Sequence, residues 1–135
     1  MPRSEITKTS ATAAAEYYRE LFAAFAPVAV KRMFSGVGIY ADHTIFAIAI
    51  DGAIYLKADA ETIPAFKREG LSPFTYGREK QRVAMSYWRM PDRLYDDPDE
   101  LAQWSRDALA AARRAVARKA RKSSPSGGNS RRKRG

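Results

Sequence analysis

The sequence predicts an α+β fold, with a central antiparallel sheet of about five to six strands, an N-terminal helix, a short middle helix and a long C-terminal helix. Two observations lead to this prediction. The pair Asp51-Gly52 lies between two apolar runs, which is typical of a hairpin between antiparallel strands. Apolar residues also recur at helical spacing near both ends of the chain. The 135 residues suit a single domain, which we expect to span residues 10–120.

The N-terminal helix is predicted over residues 10–25, after a disordered stretch of residues 1–9. Ala26-Pro27 ends this helix, because proline interrupts the hydrogen bonds of a helix interior. One stripe of apolar residues is expected to face the core, and it consists of Ala14, Tyr17, Leu21 and Phe25.

Two tight turns define the sheet that follows a first strand over residues 28–34. Asp51-Gly52 favours the positive φ angles of a two-residue type I′ turn, and Asp42-His43 is a second, weaker turn candidate. The predicted cross-strand pairs are Ile50 with Ala53, Ile48 with Tyr55, Phe46 with Lys57, Tyr40 with Ile45, and Ile39 with Phe46.

Side chains alternate between the two faces of a strand, so this register predicts which residues share a face. Both predicted faces are apolar, whereas a solvated antiparallel sheet has one polar face. We therefore expect both faces to be covered by helices, a second subunit or a partner. Gly38, Ala47 and Ala49 would let a helix approach closely. The first predicted face holds Val37, Ile39, Phe46, Ile48, Ile50 and Tyr55, and the second holds Gly38, Tyr40, Ile45, Ala47, Ala49, Ile54 and Leu56.

The second half of the chain is expected to add one short helix, two strands and the long helix. The short helix, over residues 62–69, starts at Thr62 or Asp59 and stops at Gly70. Its neighbours are strands over residues 73–76 and 83–88, a charged loop over residues 77–82, and one helical turn over residues 91–95.

The C-terminal helix has a strong start signal in Asp97-Pro98-Asp99-Glu100. This run combines an Asp N-cap, proline at the first helical position and glutamate at the third. We expect the helix to fray before Ser123 and residues 121–135 to form a disordered basic tail. The predicted core-facing stripe consists of Leu101, Trp104, Ala108, Ala112 and Ala115.

Charge is divided unevenly along the chain. Residues 113–135 hold ten Lys and Arg and no Asp or Glu, whereas residues 1–112 hold 14 basic and 15 acidic residues. The formal net charge of +9 is therefore a property of the C-terminal end alone. This end is a candidate for non-specific contact with the phosphates of nucleic acid. The alternative is a tail that only increases solubility. The candidate contact residues are Arg118, Lys119, Arg121, Lys122, Arg131, Arg132, Lys133 and Arg134.

Basic residues also alternate with aromatic ones around the charged loop of residues 77–82. Such a hairpin can stack bases and hold phosphates. The alternative is a sheet core edged by solvated charges, which the lack of net positive charge in the body favours. The secondary candidate patch consists of Arg78, Lys80, Arg82 and Arg89.

The residue pattern indicates neither catalysis nor a metal or cofactor site. The chain has no cysteine, and the only histidine, His43, falls in a predicted turn. The acidic run of residues 96–100 lacks EF-hand spacing, and helix capping explains it. The longest apolar run, residues 21–30, is too short to span a bilayer, and the N-terminus lacks a signal-peptide pattern. We therefore expect a non-enzymatic, cytoplasmic protein without membrane contact.

Several separated motifs occur in a recognisable order. They are RMFSGVGIY (residues 32–40), FAI (46–48), DG (51–52), YLKAD (55–59), PFTY (73–76) and MSYW (85–88), followed by Pro91, Asp97, Leu101, Trp104 and Ala108. They resemble the N-terminal domain of the TfoX/Sxy family of competence regulators over about residues 12–116. Ser35 departs from the pattern, because the family often has a second glycine there.

The resemblance implies an α+β domain with a central antiparallel sheet. It also implies a role in regulating DNA-uptake genes together with an activator of the cyclic-AMP receptor type. Competence regulators of this family often carry a C-terminal helical domain where this chain has its basic tail, and stand-alone N-terminal domains are common. The family supplies no catalytic residues to transfer.

Two hypotheses of function follow. The first is a regulatory adaptor that binds a transcription protein. Its tail would make an auxiliary contact to DNA or RNA, and the chain would be able to form a homodimer. The second is an enzyme or small-ligand binder that uses a pocket near Tyr40, Tyr55 and Tyr87. The lack of a nucleophile, base or metal cluster favours the first.

Overall fold

The computed structural model describes residues 13–33, 36–76 and 83–123. The described chain forms three helices, one 3-10 helix and six strands. In chain order these are α1 (residues 13–21), β1 (Ala29–Met33), β2 (Gly36–Ala41), β3 (Thr44–Ile50), β4 (Ala53–Lys57), α2 (Ile63–Arg68), β5 (Pro73–Tyr76), β6 (Val83–Arg89), the 3-10 helix (Asp92–Asp96) and α3 (Pro98–Ser123).

The six strands form one antiparallel sheet in the order β1-β2-β3-β4-β6-β5. The first four strands are neighbours in sequence and in space, as expected of a meander joined by short turns. Strand β6 pairs with β4 and places β5 at the far edge. The predicted α+β fold with its central antiparallel sheet is therefore confirmed.

Both predicted two-residue turns are present. Asp51 and Gly52 have φ angles of 52° and 80°, and Asp42 and His43 have φ angles of 50° and 65°. These positive angles match the twist of the flanking strands, which makes such turns favourable in hairpins. The predicted pairs that they set are confirmed for Ile50–Ala53, Ile48–Tyr55 and Tyr40–Ile45.

The predicted pair Ile39–Phe46 is wrong, because β3 contains a bulge. Tyr40 lies opposite Ile45 but Ile39 lies opposite Ala47, so Phe46 is an extra residue on β3. The Phe46 side chain is fully buried, and its ring centroid lies 5.3 Å from Phe22 and 5.1 Å from the ring of Phe25. A bulge re-aims a side chain and changes the alternation beyond it. Contact with the aromatic residues of the N-terminal region is the packing that this bulge serves.

Because of the bulge, the residues of β2 share a face with different residues of β3 and β4 than predicted. Residues of β2 that were expected to share a face with Ile48 and Tyr55 instead share one with Ala47 and Leu56. We call the two faces the covered face and the open face. The covered face holds Val37, Ile39, Phe46, Ala47, Ala49, Ile54, Leu56 and Trp88. The open face holds Lys31, Met33, Gly38, Tyr40, Ile45, Ile48, Ile50, Tyr55, Lys57, Phe74, Tyr87 and Arg89.

The helices pack on the covered face, where their side chains join the strands in one core cluster. Phe22 follows α1, and Phe66 in α2 contacts the rings of Trp88 and Trp104 at 5.9 Å and 5.1 Å. Ala47 and Ala49 lie on this face as expected of close helix packing. Gly38 does not, because a Cβ there would come within 2.9 Å of Ile45 Cδ1 on the open face.

The stripe predicted for the N-terminal helix is partly wrong. Tyr17 is 49% exposed, whereas Tyr18 and Phe22 are buried, with Leu21 and Phe25 packed against the core. Ala14 also packs against the core, so only Tyr17 of the predicted stripe is wrong, and the adjacent Tyr18 takes the core-facing position. Phe22, which follows the helix, contacts Phe46.

Helix α3 begins and packs as predicted. The Glu100 backbone N–H donates to Asp97 Oδ1 at 3.1 Å, which is the expected N-cap. Leu101 and Ala108 are buried, in line with the predicted stripe. The helix ends at Ser123, three residues past the predicted domain boundary, and residues 124–135 of the predicted tail lie outside the described residues.

Candidate functional site

Two adjacent arginines fix α3 at the end of the sheet where β2 turns into β3, and Arg114 pairs with Glu61 as well as with Asp59. Arg113 Nη2 donates to Asp42 Oδ2 at 3.0 Å, and both side chains are largely exposed. Arg114 donates to Asp59 through Nε at 2.6 Å and Nη2 at 3.1 Å, and the Asp59 side chain is only 8% exposed. The hydrogen bond from Arg114 is the main cause that lowers the pKa of Asp59. The second pair is therefore the stronger attachment.

The basic end of α3, residues 116–123, extends past this attachment. Arg118, Lys119 and Arg121 are exposed there, as a basic contact surface requires. Lys122 belongs to the same helix, but its side chain lies outside the described part of the chain. The other predicted tail residues, Arg131, Arg132, Lys133 and Arg134, also lie outside it. Only the first half of the predicted tail site is thus placed.

The opposite end of α3 is acidic and also anchored. Arg93 of the 3-10 helix contacts Glu69, which follows α2, and its Nη2 lies 2.6 Å from Glu100 Oε2. Trp104 Nε1 donates to the same carboxylate at 3.2 Å. Hydrogen bonds from Arg93 are the first cause that lowers the pKa of both glutamates. This cluster joins α2, the 3-10 helix and α3, and it accounts for Glu100 of the acidic run, while Asp97 caps α3.

Among the described residues, no group of three or more His, Cys, Asp and Glu side chains is placed to hold a metal ion. His43 lies at the exposed β2–β3 turn with φ 65°. A turn position suits this histidine, because His is among the few non-glycine residues that are enriched in the left-handed region.

Of the secondary basic patch, the structure places only Arg89. Its side chain lies on the open face at the end of β6, and Nη2 is 3.7 Å from Asp92 Oδ1. The Nε atom is buried and has no hydrogen-bond partner. Arg78, Lys80 and Arg82 lie outside the described residues. The patch as predicted therefore stays a prediction.

The open face instead carries aromatic rings beside cations. Lys31 Nζ lies 4.9 Å from the ring centroid of Tyr40, and Lys57 Nζ lies 5.1 Å from that of Tyr87. Both distances are typical of cation–π contacts. Tyr55 contacts Phe74 edge to face at 5.1 Å.

Side chains of this face line several recesses in the described part of the chain, and two of them lie along β4 and β6. The first, of about 470 Å³, is lined by Tyr55, Phe74, Arg89 and Asp92. The second, of about 420 Å³, is lined by Tyr40, Ile45, Lys57 and Tyr87 on the sheet side, and by Ala112, Ala115, Val116 and Lys119 of α3. Burial raises the pKa of Tyr87 and lowers that of Lys57.

The predicted tyrosine pocket is therefore divided between these recesses. Tyr40 and Tyr87 share the second recess, whereas Tyr55 lines the first. Lys31, Lys57 and Phe74 were not among the predicted site residues. Strand alternation is the signal that could have grouped them, but the bulge at Phe46 breaks that alternation.

Sequence comparisons relate this chain to known proteins. Residues 20–112 match the family described as the TfoX N-terminal domain. The chain is similar to Protein Sxy of Escherichia coli (strain K12), with 24% identity over 94 residues, which are 70% of this chain and 45% of that protein. The chain thus matches less than half the length of this relative. Separately, no helix in the described ranges is long and apolar enough to cross a membrane. Because the family match covers most of the chain and its whole sheet, this protein belongs to the TfoX N-terminal domain family.

Proposed function

We propose that this protein is a non-enzymatic regulator of transcription that contacts a transcription factor while the basic end of α3 contacts DNA. Membership of the TfoX N-terminal domain family supports the regulatory role. The proposed partner is an activator of the cyclic-AMP receptor type, because the TfoX/Sxy resemblance implies one. A cytoplasmic location follows from that choice of partner.

The observation that carries the DNA contact is the exposed basic end of α3. Arg114 is held by Asp59, and the helix continues from there with Arg118, Lys119 and Arg121 exposed. At 1.5 Å per residue, residues 115–123 reach about 13 Å along the helix axis. Arginine and lysine on such a segment neutralise phosphates and release counterions.

The charge distribution also favours DNA contact at the basic end of α3. Residues 1–112 carry a net charge of −1, so the body of the protein as a whole has no excess positive charge that would draw in a duplex. The acidic cluster around Glu69 and Glu100 lies at the other end of α3. A duplex would therefore meet the protein at the basic end, and the body would stay available to a protein partner.

A binding titration on two unrelated duplexes at two salt concentrations tests the DNA contact. The double variant Arg118→Gln and Arg121→Gln should bind both duplexes more weakly. Its slope of log affinity against log salt should fall by about 1.8, since each phosphate contact contributes about 0.9. The matched control, Arg19→Gln and Arg106→Gln, removes the same charge from exposed positions elsewhere. Equal loss in both variants would contradict a site at the end of α3.

Size-exclusion chromatography with a purified transcription factor of the cyclic-AMP receptor type tests the protein contact. Wild type and the Arg118/Arg121 variant should both co-elute with the factor. Absence of a complex with wild type, with and without cyclic AMP, would refute the proposed partner. A thermal-shift screen against nucleotides and metabolites tests the alternative small-ligand function in the same preparation.

A further inference from the structure

The open face repeats one arrangement of side chains. In the first recess, the rings of Tyr55 and Phe74 lie beside Arg89. In the second recess, the rings of Tyr40 and Tyr87 lie beside Lys57. Each recess therefore combines aromatic rings with a cation from the strands, and Lys119 of α3 adds a second cation to the second recess.

The two recesses are adjacent and aligned along the same strands. Tyr55 pairs with Arg89, and two residues further along β4 Lys57 pairs with Tyr87. At about 3.3 Å per residue, the two pairs are roughly 7 Å apart. A ligand that extends along β4 and β6 would meet ring and cation twice in succession.

Most of the charge in the sheet lies on one face. None of the residues in the six strands is Asp or Glu, and Lys31, Lys57 and Arg89 lie on the open face, whereas Arg32, opposite Val37, is the one strand cation on the other face. The carboxylate of Asp92, which lines the first recess, is 83% exposed and 3.7 Å from Arg89. Exposed ion pairs of this kind are weak, so an anionic ligand can displace the Asp92 carboxylate from Arg89. Arg89 Nε is in addition a buried donor without a partner in the described structure.

We propose that the open face binds single-stranded nucleic acid, with bases stacked on its aromatic rings and phosphates held by Lys31, Lys57 and Arg89. A single strand repeats a planar base and a phosphate, which is the chemistry that the two recesses repeat. Base stacking on aromatic side chains beside a basic groove is a general mode of single-strand binding. A duplex offers no unstacked bases to these rings.

The same observations disfavour a second copy of this chain as the occupant. A two-fold contact between open faces would place Lys31, Lys57 and Arg89 against their own counterparts, and like charges across an interface oppose association. The inference goes beyond the proposed function, because its rings and cations lie on the strands of the open face and it concerns a different form of nucleic acid. The two surfaces adjoin, since Lys119 of α3 borders the second recess.

Fluorescence anisotropy with a labelled 12-nucleotide oligothymidine, and with a duplex of the same length, tests this inference. Phe74→Leu removes the ring but keeps an apolar side chain, and it should weaken oligothymidine binding by about tenfold. Phe74→Tyr keeps the ring and should bind within about twofold of wild type. Lys57→Gln should reduce the salt slope by about 0.7, the value expected for one phosphate of a single strand. Duplex binding should be unchanged in all three variants.

Two controls separate this surface from the rest of the molecule. Tyr17→Leu removes an exposed ring from α1 and should leave the oligothymidine affinity unchanged. Circular dichroism melts of every variant establish that the fold is retained, and Phe74→Tyr supplies the ring-retaining comparison if Phe74→Leu is less stable.

Unchanged oligothymidine affinity in folded Phe74→Leu and Lys57→Gln would overturn the inference. If Arg118→Gln with Arg121→Gln alone removed binding to single strands and duplexes alike, the proposed function would stand and this inference would fail. Loss of transcription-factor binding or a change of oligomeric state in the open-face variants, with oligothymidine affinity unchanged, would identify a protein as the occupant and likewise overturn it.

Discussion

The covered and open faces of the sheet are built from the same strands but from different kinds of side chain. Under the helices, Ala47 is fully buried and Ala49 nearly so, together with large aliphatic residues. On the open face, Tyr40, Tyr55 and Tyr87 remain half-buried and lysines lie over two of the rings. Small residues thus occur where a helix approaches, and large amphipathic residues occur where recesses open to a ligand. The comparison separates residues that stabilise the fold from residues available for binding.

The largest difference between the faces is expected at two adjacent residues. Phe46→Ala should lower the free energy of unfolding by about 3–5 kcal/mol, because it empties a fully buried site between β3 and the aromatic residues at Phe22 and Phe25. Ile45→Ala, next in sequence but half-buried on the open face, should cost less than half as much. Urea denaturation of both variants measures the difference, and equal losses would contradict the assignment of Phe46 to the bulge.

Larger side chains should also destabilise the covered face more than the open face. Ala47→Val inserts two methyl groups at a fully buried position on the covered face, and it should cost about 1–3 kcal/mol. Gly38→Ala adds one methyl group on the open face, where the nearest atoms belong to the side chains of Ile45, Met33 and Tyr40. These side chains can move, so this change should cost about 1 kcal/mol or less. Thermal melts of the two variants give the order, and a larger loss for Gly38→Ala would reverse it.

The attachments of Arg113 and Arg114 should differ, because only the Asp59 carboxylate, which Arg114 contacts, is shielded from water. Asp59→Asn removes a carboxylate that is 8% exposed and should cost about 1–2 kcal/mol near neutral pH. Asp42→Asn removes a largely exposed partner of Arg113 and should cost about 0–1 kcal/mol. Similar losses would show that burial does not distinguish the two attachments.

The cost of Asp59→Asn should also depend on pH. Arg114 lowers the pKa of Asp59 in the folded protein, so the unfolded chain binds this proton more readily. The stabilisation is fully present above the ordinary aspartate pKa of about 3.9 and is lost as the pH falls through the lowered folded-state pKa. Wild type and Asp59→Asn should therefore converge in stability at strongly acidic pH. A constant difference from neutral to acidic pH would show that the carboxylate charge is not the cause.

The smallest effect on stability is expected from removing residues 117–135, which include most of the basic end of α3. Deletion of residues 117–135 removes only two alanines as apolar residues, and residues 117–121 are exposed. The free energy of unfolding should change by about 0.5 kcal/mol or less. Differential scanning calorimetry measures it, and a loss above about 2 kcal/mol would place the segment in the folded core.

Much of the fold could be predicted because the decisive signals are local. Asp51-Gly52 sets its hairpin through backbone angles that the two residues themselves favour, and Asp97 caps α3 from three residues away. The bulge could not be predicted in this way. It depends on the contact of Phe46 with Phe22, which lies in another element and which no periodicity of β3 reports.

The candidate site was harder to predict for the same reason. The basic end of α3 is visible as a run of charge, and the structure places Arg118, Lys119 and Arg121 on an exposed helix. The recesses of the open face combine residues from β2, β4, β5 and β6, so they exist only once the register is known. A one-residue error in β3 sufficed to assign Tyr40 and Tyr55 to opposite faces in the sequence analysis.

The attachment of α3 has a consequence for the order of folding. The meander from β1 to β4 forms through contacts between neighbours in sequence, whereas Arg114 and Asp59 are separated by 55 residues. Closing a long loop costs entropy before its contacts form, so local pairings are expected in the transition state and docking of α3 after it. Substitutions in the meander should then slow folding, while Asp59→Asn should chiefly accelerate unfolding. Stopped-flow chevron plots distinguish the two, and a φ-value near one at Asp59 would instead make α3 part of the folding nucleus.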